Sequence, residues 1–349
     1  MTSPALRERW REAAGRGVQK GLRSSWELVK VIAPVSIGVT ALSHTPALAW
    51  LSRAFAPVMG WLGLSGEAAV VLVAGNAVGL YSAIGAMMSL DLSPRELLTL
   101  ALMLSFSHNL FVETAVTKRL GVSYWGVMVY RVGLAIVAGL LLNGLFTWLP
   151  IGAAAGGAAD GFQDAMGAPA ALAAGVERAV AGGGSEPAKS WAARAGEWVG
   201  AVLTDAAGGL VKTTALLIAI IIPLMASIEV LKEAGILESL SRRIEPYMGW
   251  LGMSGQAGFP LLAGFVFGLA YGAGVILEAA RDNGLSQGDR RLLCVFLVAC
   301  HAAIEDTLLF VPLGVNPFLL LGTRLALALV LTAVAARIGV GERLEEVQG

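Results

Sequence analysis

Two short stretches of this chain carry ionisable side chains inside otherwise apolar runs. In the first, Ser105, Ser107, His108, Asn109, Glu113 and Thr114 interrupt the run; in the second, His301, Glu305, Asp306 and Thr307 do the same. Imidazole titrates near neutral pH, so histidine beside carboxylates suits a proton relay. The same nitrogen and oxygen donors suit a first-row metal ion, with His108, Glu113, His301, Glu305 and Asp306 as the candidate ligands. They also suit hydrogen bonding to a polar solute, and residue types alone do not choose among the three. On a helix, His301 and Glu305 are four apart and share a face, whereas His108 and Glu113 are five apart and only loosely adjacent. Arg131 and Arg324 stand at matching places further on. Each could neutralise Glu113 or Asp306 in its own part of the chain, or bind an anionic group. The plainer alternative makes the clusters hydrogen-bonding glue between helices, or headgroup-level residues, with both arginines snorkelling to the interface.

The elements that must position these residues follow from hydropathy. The chain has 349 residues, 56% hydrophobic and 14% charged, with 44 glycines and a mean hydropathy of +0.72. Soluble domains rarely reach such values. Eight apolar segments are legible, near 26–47, 67–89, 97–117, 122–148, 209–231, 256–280, 291–312 and 316–338. A bilayer core about 30 Å thick takes about 20 helical residues to cross. Pro34, Pro223, Gly268 and Gly272 inside them are compatible with membrane helices, whose neighbours can satisfy freed backbone groups. Ionisable groups at that depth cost roughly 2.5 to 3.5 kcal/mol each, so several together call for pairing, water or a ligand. Asn76, Tyr81 and Ser82, with Tyr271, could line a pathway, although packing is the simpler role. Gly75-x-x-x-Gly79 and Gly264-x-x-x-Gly268-x-x-x-Gly272 read as close helix contacts. Glu229 and Glu278 fall near segment ends and are expected at the interface.

The segments come in two sets. Pro57-Val58-Met59-Gly60-Trp61-Leu62-Gly63-Leu64-Ser65-Gly66 recurs as Pro246-Tyr247-Met248-Gly249-Trp250-Leu251-Gly252-Met253-Ser254-Gly255. Ala74-Gly75 and Gly79-Leu80 are answered by Ala263-Gly264 and Gly268-Leu269. After a four-residue shift, His108, Thr114 and Arg131 are answered by His301, Thr307 and Arg324. The expected fold is an all-α polytopic membrane protein of two homologous four-segment halves. Its parts are a basic amphipathic N-terminus (1–25), a first membrane repeat (26–148), an Ala/Gly-rich linker (149–208), a second repeat (209–338) and a polar tail (339–349). Trp191, Ala195, Trp198 and Val202 near the linker's end suggest a short interfacial helix. If every segment crosses, the halves run parallel. If the third segment of each half is a re-entrant hairpin folding near His108 or His301, the repeat is inverted. The polar centres of the third segments favour the hairpin, while Lys and Arg counts leave the topology open.

Other classes lack their parts. There is no H-E-x-x-H, G-x-S-x-G or P-loop, so the chain is not expected to be an enzyme, and no cofactor is implied. Net charge is zero, which implies no nucleic-acid partner. Arg7, Arg9, Arg11, Arg16, Lys20 and Arg23 precede the first segment and place the N-terminus in the cytoplasm, on the anionic leaflet or as a solvated tail. The first segment imitates a signal peptide ending at Ala47-Leu48-Ala49, but is too long for its apolar region and has a counterpart later on. Cys294 and Cys300 share one segment and read as packing residues.

The paired halves, the Pro-x-Met-Gly-Trp-Leu-Gly-x-Ser-Gly segment and His108-Asn109-Leu110-Phe111-Val112-Glu113-Thr114 resemble the nucleoside-recognition, or Gate-domain, family of bacterial membrane proteins. That superfamily is similar in part to the ferrous-iron permease membrane domain, the spore-maturation membrane proteins and the concentrative nucleoside transporters. The resemblance covers roughly 25–148 and 209–338 and points to Asn109, Glu113, Thr114, Glu305, Asp306 and Thr307 as solute contacts at hairpin tips. The chain lacks the N-terminal GTPase domain of a complete iron permease. Together these readings imply a multi-pass protein of the bacterial inner membrane that carries a small polar or ionic solute, nucleoside-like or a divalent cation, between its halves. The partners expected are the lipid bilayer, that solute or ion and, as an option, a second copy of the chain. The rival reading is a membrane scaffold or partner-binding component without transport.

Overall fold

The computed structural model describes residues 4–148, 191–281 and 285–340, and every regular element among them is helical. In chain order these are α1 (Pro4–Ser43), α2 (Pro46–Trp61), α3 (Ala68–Ala77), α4 (Leu80–Met87), α5 (Pro94–Ser107), α6 (Leu110–Arg119) and α7 (Tyr124–Trp148). Then come α8 (Trp191–Glu233), α9 (Ile236–Ile244), two short 3₁₀ turns, α10 (Gly258–Arg281), α11 (Gln287–Ala299), α12 (Ala303–Leu309) and α13 (Pro317–Arg337). Six helical stretches are long and apolar enough to cross a bilayer: α1, α5 with α6, α7, α8, α11 with α12, and α13. In α5–α6 and α11–α12, 78% of the apolar window is buried within the protein, against 22–33% for the other four. The two broken spans are therefore the inner pair. The outer helices turn Trp125, Val129, Val132, Ile136 and Leu140 of α7 outward, an apolar stripe suited to lipid and unstable against water.

Apolar segments two and six do not cross. A rod of α10's 24 residues would be about 36 Å long. Yet Asp289, just after it, accepts from the backbone N and Oγ of Ser254, just before it, and from those of Ser286. The chain must fold back, and it does so at Gly268, with φ 82° and ψ 174°, a conformation open essentially to glycine alone. The α3–α4 pair repeats the device. Its break is Gly79 (φ 142°, ψ 178°), and Glu96 accepts from Ser65 on one side and Ser93 on the other. Both hairpins are thus closed at the base by the carboxylate of a capping box. This corrects the expectation that the third segments fold back, and the reading of Gly79 and Gly268 as helix-packing glycines. Gly75 and Gly264 do pack, against Leu104 and Leu297.

The inner spans run antiparallel. The Gln287 amide at the start of α11 donates to Gly121 O beyond the end of α6 at 3.0 Å, while His108 and His301 meet halfway along. Each part holds three of the six candidate spans, and the antiparallel inner pair is the relation that an inverted repeat predicts. It also gathers charge. Lys118, Arg119, Arg242, Arg243, Arg290, Arg291 and Arg337 all sit at the end where α6 finishes and α11 begins; Arg53 and Arg95 sit at the other.

The N-terminal stretch is neither a tail nor a separate surface helix. It is the first part of α1, which packs antiparallel on α8. Gly17 lies on Ala226 and Gly21 on Ile222; Arg9 and Arg16 hold Glu233 and Lys20 holds Glu229. Glu229 is accordingly buried between helices and not interfacial. At the far end of this pair His44 meets Asp205 at 3.1 Å. Trp191 to Val202, expected as a short separate helix, begin the 43-residue α8. Residues 149–190 and the tail beyond 340 lie outside the described residues.

Candidate functional site

Each inner span breaks at the same kind of point. α5 ends at Ser107 and α6 starts at Leu110, with Asn109 between them at φ 48°; α11 ends at Ala299 and α12 starts at Ala303, with Ala302 at φ 42°. These are the only non-glycine residues with positive φ among the described residues, which marks the breaks as held in place by their surroundings. The hairpins supply part of that support. Asn109 N donates to Gly75 O at 2.8 Å and Ala302 N to Gly264 O at 3.2 Å.

A broken helix leaves carbonyls exposed at one end and amides at the other, negative and positive respectively. The arginines answer the first. Arg131 Nη2 donates to His108 O at 2.7 Å and its Nε to Phe106 O at 2.9 Å; Arg324 Nη2 donates to His301 O at 2.7 Å. The acids answer the second, since Glu113 lies in the first turn of α6, and Glu305 and Asp306 in that of α12. Arginine and acid then pair: Arg131 with Glu113 at 2.6 Å, and Arg324 with Asp306 at 3.3 Å and with Thr307 Oγ1 at 3.5 Å. Both arginines are fully buried, so neither snorkels.

The imidazoles face each other across the pseudo-symmetric centre, with ring centroids 5.2 Å apart. Nδ1 of His108 lies 2.7 Å from Leu104 O, and Nδ1 of His301 lies 2.7 Å from Leu297 O. A carbonyl only accepts, so each Nδ1 is assigned as the donor, which leaves both Nε2 atoms to face the centre. Those atoms point to one carboxylate: His108 Nε2 lies 3.2 Å from Glu113 Oε1, and His301 Nε2 lies 3.2 Å from Glu113 Oε2. The second contact is short but off the hydrogen-bond line, and His301 Nε2 has no hydrogen-bond partner among the described residues. His108, His301 and Glu113 are the residues able to hold a metal ion; Glu305 and Asp306, also candidates from sequence, stand apart from that triangle.

Beside it lies a cavity of about 390 Å³. The tip of the first hairpin (Gly79, Tyr81, Ser82) and the break of α5–α6 (His108, Asn109, Glu113) bound it with Glu305 and Asp306 of α12. Tyr81 Oη donates to Glu305 Oε1 at 3.3 Å, joining the two parts of the chain. Of the sequence-derived residues, His108, Asn109, Glu113, Glu305 and Asp306 line this cavity, while His301, Arg131, Arg324 and Thr307 stand behind them. Thr114 is fully buried behind the break, its Oγ1 unpartnered, as is Ser82 Oγ. Tyr81 and Ser82, for which packing was the simpler role, belong to the cavity; Asn76 instead bonds Leu72 O within its own helix. Gly79, a tip residue, was hidden because its motif has the spacing of a packing motif. Tyr271 lies outside the side chains described. A second cleft, of about 740 Å³, opens at the basic end between α6–α7 and α11 and reaches Tyr130 and Val298, neighbours of Arg131 and His301.

Comparison with known proteins agrees with this architecture. The Gate family, described as nucleoside recognition, matches residues 25–124 and 215–334. The "Uncharacterized membrane protein YvoD" of Bacillus subtilis (strain 168) is 40% identical over 323 residues, covering 92% of this chain and 93% of that protein. No solved structure matches. An all-helical membrane architecture, a match spanning most of both membrane parts and a full-length membrane relative lead to one conclusion: this chain belongs to the Gate, or nucleoside-recognition, family.

Proposed function

We propose that the protein is a secondary transporter of the bacterial inner membrane, moving a small polar or ionic solute, nucleoside-like or a divalent cation, through the site between its two parts. One observation carries the reading: the break of one inner span, the first turn of α12 in its antiparallel partner, the tip of a hairpin and five ionisable side chains converge on one cavity. Discontinuous helices that turn backbone groups toward a mid-membrane site are the usual construction of such carriers. A scaffold would seal these groups against one another, whereas buried atoms without partners, including Ser82 Oγ and Thr114 Oγ1, suit a site that water or solute completes. The basic end is the cytoplasmic one by the positive-inside rule, which puts the start of α1 in the cytoplasm and makes the larger cleft the inward vestibule.

The test is uptake and efflux in reconstituted vesicles over a panel of nucleosides and divalent cations. Flux lost in Glu113→Gln and Asp306→Asn at unchanged expression supports the proposal. No flux across the panel with well-folded protein sinks it.

A further inference from the structure

We propose that His108, His301 and Glu113 bind a divalent first-row transition-metal ion midway across the membrane. This deepens the transport reading at the same site, and the ion's binding is measurable without flux.

The first argument is about an unfilled contact. With each Nδ1 held by a carbonyl, both Nε2 atoms turn to the Glu113 carboxylate, and the buried His301 Nε2 has no hydrogen-bond partner among the described residues. A divalent cation held by the three groups together would supply one. The second argument is geometric. Bonds of about 2.0 to 2.1 Å in a tetrahedral shell set ligand atoms about 3.3 Å apart, and each imidazole Nε2 lies 3.2 Å from one of the two Glu113 oxygens, His108 from Oε1 and His301 from Oε2. All three ligand atoms lie within 4.8 Å of one another.

The outer shell is also present. Each imidazole is oriented through its other nitrogen, and Arg131 holds Glu113 from behind at 2.6 Å. His108 and Glu113 line the 390 Å³ cavity, so the fourth coordination position opens to it and can be filled by water or an exchanging ligand. Two imidazoles with one carboxylate select a transition-metal ion over Mg²⁺ or Ca²⁺, which prefer all-oxygen sites. Charge permits the ion: Arg131 and Arg324 are offset by Glu113 and Asp306, and the carboxyl group of Glu305 lines the adjoining cavity.

The experiment uses the full chain, purified in detergent and stripped of metal, titrated with Zn²⁺ against a chromophoric chelator and with Co²⁺ by visible absorption. The expected result is one Zn²⁺ per chain, displaced by Co²⁺ and unaffected by Mg²⁺ or Ca²⁺, and a Co²⁺ spectrum typical of four or five nitrogen and oxygen ligands. His108→Gln and His301→Gln should each weaken Zn²⁺ by about 100-fold or more, since loss of an outer-shell partner alone costs 10- to 100-fold. His44→Gln, at the far end of α1, should change nothing. Absence of stoichiometric Zn²⁺ overturns the proposal, as does binding that survives the double His108→Gln/His301→Gln change. Where those variants do not give monodisperse protein, the unaltered chain decides: a sulfur-to-cobalt charge-transfer band would assign the ion to Cys294 or Cys300 and overturn the site. Zn²⁺ binding without flux would uphold the metal site while removing the transport reading; flux without Zn²⁺ would do the opposite.

Discussion

Replacing Arg131 with methionine keeps most of the side chain's volume and removes its charge, which isolates what the guanidinium contributes. In the native protein it donates to Phe106 O and His108 O and holds Glu113 at 2.6 Å, all in a fully buried position. Removing one partner of a buried ion pair typically costs 3–5 kcal/mol, because the other charge is left without compensation. Two orphaned carbonyls add about 1 kcal/mol or more each. Against these stands a relief: both imidazoles remain within 3.2 Å of the Glu113 carboxylate. The net expectation is a loss of about 3–5 kcal/mol, a large part of the usual 5–15 kcal/mol margin. Adding Glu113→Leu to Arg131→Met removes the stranded carboxylate, so the double variant should regain about 2 kcal/mol of the loss. A double-mutant cycle on unfolding of the purified chain in mixed micelles measures both. Arg131→Met within 1 kcal/mol of wild type, or a double variant no better than the single, would refute the claim that this arginine holds the break together.

Asp289→Ala removes an acceptor of four hydrogen bonds at the base of the second hairpin and should cost about 2–4 kcal/mol in the same unfolding assay. Gly79→Ala imposes a side chain on φ 142°, ψ 178° in ordinary contact with Asn109, so its cost of about 1–3 kcal/mol should be conformational; Gly268→Ala should cost more, because its Cβ would also lie 3.2 Å from Ala302 Cβ. Ala302→Gly has the opposite sign: relieving an alanine at φ 42° should stabilise by up to about 1 kcal/mol, read as a rise in thermal midpoint. Glu305→Gln keeps the Tyr81 contact but discharges the carboxylate, and should abolish flux with stability unchanged or raised; retained flux would exclude Glu305 from the site.

The polar clusters were legible in the sequence because lipid makes every ionisable residue conspicuous: His108, Glu113, His301 and Asp306 stood out against apolar neighbours, and Arg131 and Arg324 were rightly matched to their acids. The breaks were less legible. Asn109 is a plausible left-handed residue, but Ala302 has nothing in its chemistry to announce φ 42°; tertiary support from Gly264 O and the Arg324 cap imposes it. The hairpins were misplaced for a related reason. Hydropathy counts residues and does not register direction, so an apolar stretch of two short arms looks like one crossing. What distinguishes them is the serine–carboxylate closure at the base, Ser65 and Ser93 with Glu96, and Ser254 and Ser286 with Asp289, which links residues about 30 apart. The same limit applied at the N-terminus. Six basic residues before an apolar run suggested a lipid surface, whereas Arg9, Arg16 and Lys20 find Glu233 and Glu229 on α8, more than 200 residues away.

The two parts match in backbone but not in charge. His108, Glu113 and Arg131 correspond in spacing to His301, Asp306 and Arg324, and each arginine closes the carbonyl end of a break while pairing with the acid at the amide end of the same break. Those pairs cancel. Glu305 has no such counterpart, since the matching position is Val112, an exposed apolar residue. Among the described residues its side chain accepts from the neutral hydroxyl of Tyr81, and it lines the cavity directly. A carboxylate at that depth is costly unless a cation or a proton accompanies it. The uncompensated charge therefore lies on the cavity side of the centre and not in the paired framework behind it. A cationic cargo, or a proton exchanged for one, is what this asymmetry is suited to hold, and an anionic solute would have to overcome it.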